Sequence, residues 1–163
     1  MTLHKPLTGP ANMPGGYTDS IALIERLHRL LLDVVKDEFE RLELFEINPV
    51  QALLLYNIGH HEVTAGELKS RGYYQGSNVS YNLKRLVESG HMHHRRSDID
   101  RRSVRVRLTA KGIHVHQVLL ALFERQAGGL DEQRICTPDE LLTLTTALRR
   151  IERYWGEQIR YIY

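Results

Sequence analysis

The spacing of apolar residues changes twice along this chain, and this change constrains the fold more than any other feature. From residue 17 to Gly90, apolar residues recur every three or four positions, which is typical of amphipathic helices. Residues 103–109 alternate instead, with Val104, Val106 and Leu108 on one side, as in a strand with one buried face. Helical spacing then returns. The sequence predicts a mainly α-helical protein with one small β-hairpin.

Residues that favour helix starts and ends divide the helical parts into six segments. Asn48-Pro49 and Thr137-Pro138 each combine a good N-cap with a proline at the first helical position. Thr64 and Glu67 have the spacing of a capping box. The expected elements are helices from Tyr17 to Phe45, Asn48 to Gly59, Thr64 to Gly72, Ser77 to Gly90, Ile113 to Gly128 and Thr137 to Ile162, with strands at 91–97 and 103–109.

The composition fits one soluble globular domain. The chain has 163 residues, of which 42% are hydrophobic and 26% charged. No apolar run approaches the roughly 20 residues of a membrane span. Residues 1–16 hold three prolines and three glycines without the apolar core of a signal peptide, which predicts a flexible arm. With Cys136 as the only cysteine, no internal disulfide is possible. We expect a cytoplasmic, nucleoid-associated protein without a cofactor and without membrane contact.

Positive charge is concentrated in the middle of the chain. Residues 60–112 carry 11 Lys and Arg against 5 Asp and Glu, whereas the net charge of the whole chain is only +2. Such a concentration is the electrostatic footprint of a nucleic-acid-binding protein. A solvated charged surface is the alternative interpretation of charge alone.

The third and fourth helices, with the hairpin that follows, have the order of a winged helix-turn-helix. The second helix of such a pair enters the major groove of duplex DNA. When Val79 and Leu83 point inward, the opposite face presents side chains that suit base edges or phosphates. The residues expected to contact DNA are Ser77, Asn78, Ser80, Tyr81, Asn82, Lys84 and Arg85 on this helix, and Arg95, Arg96, Arg101 and Arg102 on the hairpin.

The hairpin tip, at residues 98–102, combines arginines with two aspartates. Clustered arginines repel one another unless an anion is near, and the DNA backbone supplies that anion. Arg105 and Arg107 lie behind the tip and are expected to extend the backbone contact. Asp98 and Asp100 are unsuited to DNA contact and are expected to fix the turn, with Asp100 paired to Arg102.

The hairpin sequence Asp100-x-Arg102-x-x-x-Val106-x-Leu108-Thr109, followed by Lys111-Gly112, resembles the wing signature of the MarR family of regulators. The flanking helices also resemble that family's layout, so the likeness covers nearly all of the chain except the arm. It implies a homodimer in which the first, fifth and sixth helices intertwine. It also implies a palindromic operator and, often, release by a small aromatic or phenolic effector. Within the family, residues 67–83 are similar to the LdtR group, which is associated with control of an L,D-transpeptidase and with stress tolerance.

The same resemblance implies a division of the chain. The arm at 1–16 would precede a dimerisation helix at 17–47, a winged helix-turn-helix domain at 48–112 and C-terminal dimerisation helices at 113–163. The effector is expected where the first, second and fifth helices meet the DNA-reading module, with Phe39, Phe45 and Tyr56 as candidate lining residues. The alternative is that these aromatic residues belong to the core.

Other functional classes have less support in the sequence. The histidine clusters at 60–61, 91–94 and 114–116 lack the ligand spacing of a structural zinc site, so no metal site is expected. Cys136 precedes a helix start and leaves a redox-responsive regulator as an alternative, beside a metal-responsive one. No catalytic motif is present, so no catalytic residue and no enzyme are expected. A winged helix that binds only protein is a further alternative, which the arginine-rich tip disfavours.

Overall fold

The structure is a computed structural model that describes residues 16–70, 76–96 and 104–162. Its elements are α1 (Tyr17–Arg41), α2 (Pro49–Ile58), β1 (Val63–Thr64), α3 (Ala65–Ser70), α4 (Gly76–Glu88), β2 (Met92–Arg96), β3 (Val104–Leu108), α5 (Ala110–Glu132) and α6 (Pro138–Ile162). The predicted fold class, mainly α-helical with a small β wing, is confirmed. Three expectations lie outside the described residues: the arm at 1–15, the turn at 71–75 with the helix end at Gly72, and the hairpin tip with Asp98, Asp100, Arg101 and Arg102.

The chain forms two compact units that divide within α5, between His116 and Gln117. The first unit contains α1 to α4, the three strands and the first turns of α5. The second unit contains the rest of α5 and all of α6. All residues expected to contact DNA belong to the first unit.

Capping boxes start three of the helices; the sequence predicted the box at Thr64, and at Asn48 and Thr137 it predicted only the N-cap residue. The Asn48 side chain accepts a hydrogen bond from the Gln51 backbone N–H (2.9 Å), and the Gln51 side chain accepts one from the Asn48 N–H (3.2 Å). Thr64 and Glu67 make the same reciprocal pair at the start of α3. Thr137 and Glu140 repeat it before α6. Each box satisfies backbone donors that have no partner inside the helix.

Two helix ends differ from the predictions for one physical reason. α1 ends at Arg41 rather than Phe45, because Glu43 adopts a left-handed conformation (φ 55°) and the Leu44 N–H turns back to the Phe39 carbonyl (2.9 Å). This is a Schellman motif built without glycine. The same motif at Arg134 (φ 54°) ends α5 after Glu132, so this helix continues through Gly128-Gly129. The expected end of α4 at Gly90 is confirmed, with the glycine at φ 75°.

The sheet has three strands rather than the two that the sequence predicts. β1 pairs antiparallel with β3, which also pairs antiparallel with β2, so the strand order is β1-β3-β2. β1 is only two residues long, too short for an alternating pattern to be visible in the sequence. It attaches the connection between α2 and α3 to the middle of β3.

The core of the first unit packs the helix-turn-helix against one face of this sheet. Val106 and Leu108 of β3 are buried, and so are the inward residues of α4, as predicted. Burial of one such side chain stabilises the fold by roughly 1.5–3 kcal/mol. The fully buried large side chains of this unit are Val35, Leu54, Leu55, Ile58, Val63, Leu68, Val79 and Leu86.

Candidate nucleic-acid interface

The outward face of α4 carries most of the side chains predicted to contact DNA. Tyr81 is 63% exposed, and Asn78 and Ser80 are also exposed on this helix. The buried residues Val79, Leu83 and Leu86 hold the opposite face against the core. Because the inward anchors are rigidly packed, the polar face is presented to solvent in a fixed orientation.

Two cations at the C-terminal half of α4 share one carboxylate. The Glu88 carboxylate lies 3.8 Å from Lys84 Nζ and 3.3 Å from Arg85 Nη1, and all three side chains are largely exposed. Exposed ion pairs of this kind contribute little to stability and are screened by salt. Lys84 and Arg85 can therefore exchange Glu88 for a phosphate or a base edge at small cost.

The structure places Asn82 differently from the prediction. Its side chain is only 8% exposed, and its Nδ2 donates a hydrogen bond to the Asn78 carbonyl (2.9 Å). Residues three and four apart share a helix face, so Asn82 follows Val79 and Leu86 inward. Asn82 acts within α4 and is not part of its exposed face. For Ser77 the structure describes only the backbone, which lies in the first turn of α4.

The described part of the wing brings several predicted cations together. Arg95 is exposed and lies opposite Arg105 in the sheet, and His93 lies opposite Arg107. Arg96 pairs with Val104 at the last described position of the hairpin. By the alternation of strands, Arg105 and Arg107 face away from the core side, where Val106 is buried.

Hydrogen bonds at the base of the wing fix its position relative to α4. The Thr109 hydroxyl donates to the Gly90 carbonyl (2.7 Å) and accepts from the Gly112 N–H (3.2 Å). It therefore caps α5 and connects the start of α5 to the glycine that follows α4. The Thr109 backbone N–H donates to the His91 carbonyl (3.0 Å). Gly112 passes so close to the same carbonyl that a Cβ atom would not fit there.

Lys111 extends this junction. Its ammonium donates to the Ser89 carbonyl (3.1 Å), at the negative end of the α4 dipole, and forms an ion pair with Glu46. The hydrogen bond and charge of Lys111 lower the pKa of Glu46. Burial lowers the pKa of His91, and the charge of Lys111 lowers it further against the opposing effect of Glu46. From the sequence, Thr109 and Lys111-Gly112 were noted only as part of the wing signature. Their role in joining α4, the wing and α5 was not predicted.

The three aromatic residues predicted to line an effector pocket do not meet in one cavity. Phe39 is buried in the core (3% exposed), and the Tyr56 ring stacks on His116 with centroids 5.4 Å apart. Phe45 is 73% exposed and lines a separate cavity of about 330 Å³ beside His91 and Lys111. The early end of α1 explains the separation, because Phe45 lies in the loop after that helix.

Sequence reasoning missed an apolar cavity between α4 and the wing. It measures about 380 Å³ and is lined mainly by Leu83, Val87, Val104 and Val106, with the polar side chains of Lys84, Glu88 and His94. Val104 shares the inward side of β3 but is 41% exposed, because it lies over this opening. The alternation of β3 predicted its side correctly and gave no sign of the cavity.

Among the described residues, no group of three or more His, Cys, Asp or Glu side chains is arranged to hold a metal ion. The His91 side chain is buried and lies 2.8 Å from Ser89 Oγ through its Nδ1. None of the described helices has both the length and the apolarity that a membrane span needs.

A helix-turn-helix whose second helix exposes a polar face beside a basic hairpin defines the class of winged-helix DNA-binding proteins. Residues 47–112 match the family of winged helix DNA-binding domains. The chain is 36% identical over 149 residues to the exopolysaccharide II synthesis transcriptional activator ExpG of Rhizobium meliloti (strain 1021), which covers 89% of this chain and 74% of that protein.

Solved structures show the same fold. The transcriptional regulator SlyA matches with a TM-score of 0.74 at 19% identity, over 89% of this chain and 99% of that one. A mutant MarR from E. coli complexed with operator DNA matches with a TM-score of 0.66 at 21% identity, over 86% and 99%. The chain belongs to the MarR family of DNA-binding transcriptional regulators. Its family and fold are those of transcriptional regulators rather than of enzymes.

Proposed function

We propose that two copies of this chain form a homodimer that binds a palindromic operator, with one α4 helix in each of two major-groove segments. The observation that carries the proposal is the exposed face of α4, where Asn78, Tyr81 and Arg85 stand on a helix anchored from behind. A helix of this width fits the major groove, and two-fold operators match two-fold protein symmetry. A regulator of this kind would act at the nucleoid, in the cytoplasm.

Uncovered apolar side chains on two helices support the dimer. On α1, Leu23, Leu27 and Leu30 are each at least half exposed. On α6, Leu144, Leu148 and Ile159 are exposed at helical spacing. Apolar stripes of this length on a single chain are typical of an interface. We assign residues 17–47 and 113–163 to dimerisation and residues 48–112 to DNA reading.

The proposed DNA contacts fall into two groups. Asn78 and Arg85 have the donors and acceptors for bidentate contacts to adenine and guanine, and Tyr81 offers an apolar ring edge to a thymine methyl group. Ser77, Ser80, Lys84 and the wing arginines suit phosphates, which position the protein without reading sequence. The wing arginines assigned to the backbone are Arg95, Arg96, Arg101 and Arg102, with Asp98 and Asp100 shaping the tip.

Variants of the two groups test this assignment. We expect Asn78→Ala and Arg85→Ala to reduce the preference for the operator over unrelated duplex DNA by about 10-fold or more, since a bidentate base contact provides roughly 1–3 kcal/mol of discrimination. Arg95→Ala should weaken binding to both duplexes equally and reduce the salt slope by about one. Lys36→Ala, an exposed change on the side of α1 away from Leu23, Leu27 and Leu30, is the control. Equal behaviour of all variants in fluorescence anisotropy across a salt series would contradict the assignment.

We also propose that a small aromatic or phenolic effector binds in the apolar cavity beside α4 and thereby releases the DNA. This cavity replaces the predicted pocket at Phe39, Phe45 and Tyr56. Its volume of about 380 Å³ lies within the range of small-molecule sites. Lys84 and His94 at its edge offer donors to a hydroxyl or carboxylate group.

Filling the cavity tests the effector proposal. In Val104→Trp, the larger side chain would occupy the opening while its partly exposed position limits strain. We expect this variant to bind operator DNA as the natural protein does and to resist release by a panel of aromatic acids and phenols. Phe45→Ala, outside this cavity, should leave release unchanged. Release of Val104→Trp at the natural concentration would refute the site.

A further inference from the structure

A second cavity, of about 530 Å³, lies on the opposite face of the sheet and is lined almost entirely by basic side chains. Arg105 and Arg107 of β3 point to this side, because Val104 and Val106, which alternate with them along the strand, face α4. His93, His94 and Arg95 of β2 complete the wall, together with His60 and Glu62 from the loop after α2. This cavity was not predicted from the sequence.

The strand register places basic side chains opposite each other inside this cavity, and one of the two pairs consists of two arginines. His93 faces Arg107 and Arg95 faces Arg105 across the β2–β3 ladder. Directly opposed side chains in antiparallel strands lie within contact range, and like charges in such positions destabilise a sheet. The Arg95–Arg105 pair does not stabilise the sheet on its own, so the arrangement favours a compensating anion.

The described lining offers one carboxylate for these cations. Glu62 lies 3.9 Å from Arg105 Nη1, at the limit of an ion pair, and both side chains are more than a third exposed. This single charge does not balance three arginines around one cavity. The guanidinium groups of Arg95, Arg105 and Arg107 can instead form paired hydrogen bonds with the oxygens of an anion.

We propose that this cavity binds a compact, multiply charged phosphate-type oxyanion. The cavity is large enough for such a ligand and is bounded by two strands and the α2–β1 loop. An anion that bridges β2 and β3 neutralises the opposed arginines Arg95 and Arg105, accepts hydrogen bonds from Arg107 and His93, and stabilises the hairpin. The core face of the sheet and the inward side of α4 lie between this cavity and the exposed residues Tyr81 and Arg85. Duplex DNA bound to the outer face of α4 therefore leaves His93, Arg105 and Arg107 open to an anion, and only Arg95, which is nearer the hairpin tip than His93 and Arg107, is shared with the proposed backbone contact.

Isothermal titration of the full-length protein with inorganic pyrophosphate, at ionic strength held constant with sodium chloride, tests the site. We expect saturable binding of one anion per chain. Arg107→Gln and His93→Gln should each weaken binding at least tenfold, and Arg26→Gln on α1 should not change it. Glu62→Gln removes the competing carboxylate and should tighten binding severalfold, a gain that damaged folding would not produce.

Absence of saturable heat, or equal affinity of Arg107→Gln and the natural protein, would overturn the proposal. A second titration into protein already saturated with duplex DNA distinguishes a free anion from a DNA phosphate. Retained affinity for pyrophosphate supports a separate anion site. Loss of binding would show that the cavity belongs to the DNA-backbone surface and would overturn the assignment. The first titration needs no DNA, so its result is independent of the proposed operator binding.

Discussion

The substitution Gly112→Ala should destabilise the protein, although alanine is normally the better helix former. A Cβ atom at this position in the first turn of α5 would overlap the His91 carbonyl oxygen. It would also lie 3.2 Å from the carbonyl carbon of His91 and from Leu108 Cβ. Two of these three contacts are with backbone, which cannot rotate away. The start of α5 and His91 must therefore separate.

The expected magnitude combines three contributions. Strain from an added methyl group in a packed site costs about 1–3 kcal/mol. Separation also weakens the hydrogen bond from the Thr109 N–H to the His91 carbonyl, now 3.0 Å, which contributes about 1 kcal/mol. The higher helix propensity of alanine offsets about 1 kcal/mol of this destabilisation. We expect the free energy of unfolding to fall by about 2 kcal/mol, or the Tm by about 4–8 °C for a chain of this length.

Thermal and urea unfolding followed by circular dichroism measure this change, and α5 contains a matched control. A Cβ atom at Gly128 meets nothing within 4 Å. Gly128→Ala should therefore gain stability through helix propensity, by up to about 1 kcal/mol. If Gly112→Ala is as stable as the natural protein, or more stable as Gly128→Ala should be, α5 does not approach His91 as closely as the structure shows.

Three further changes test other parts of the structure. Asn48→Ala removes the capping box of α2 and should cost about 1 kcal/mol in urea unfolding, whereas Asn48→Gly should cost only a few tenths; equal stabilities would contradict the cap. The lowered pKa of His91 means that the unfolded chain takes up this proton first, so stability should fall as the pH drops below about 6.5 and be unaffected above it. His91→Gln should reduce that slope, and an unchanged slope would refute the effect of burial. Leu148→Asp on α6 should convert a dimer of about 38 kDa, twice the 18.9 kDa chain, to a monomer in sedimentation, while the exposed change Arg149→Asp should not.

Local signals in the sequence predicted most of the fold because they act over a few residues. The capping residues Asn48, Thr64 and Thr137 mark helix starts through hydrogen bonds within one turn. The ends of α1 and α5, which the left-handed residues Glu43 and Arg134 produce, were not predicted. A left-handed residue other than glycine has no clear signature in the sequence. Gly128-Gly129 suggested a helix end where α5 in fact continues, since a helix tolerates glycine at modest cost.

The candidate site was predictable where periodicity decides which way a side chain points. The spacing of Val79, Leu83 and Leu86 gave the outward position of Tyr81 and Arg85. The prediction failed for Asn82, because its polar side chain suggested exposure although its position on the helix is inward. Features that join distant segments were not predictable, because they depend on strand register and on the packing of loops. The opposed pairs of β2 and β3 and the two cavities beside the sheet are of this kind.

Footprinting tests whether a symmetric pair of α4 helices reads operator DNA. Genomic fragments retained by the purified protein would be sequenced, and the recovered site would be probed by hydroxyl-radical cleavage with and without protein. We expect two protected half-sites of inverted sequence, with centres about 10–10.5 base pairs or a multiple of that distance apart. Arg85→Ala should lose protection at both half-sites together. A single protected half-site, or uniform protection without sequence preference, would contradict the account.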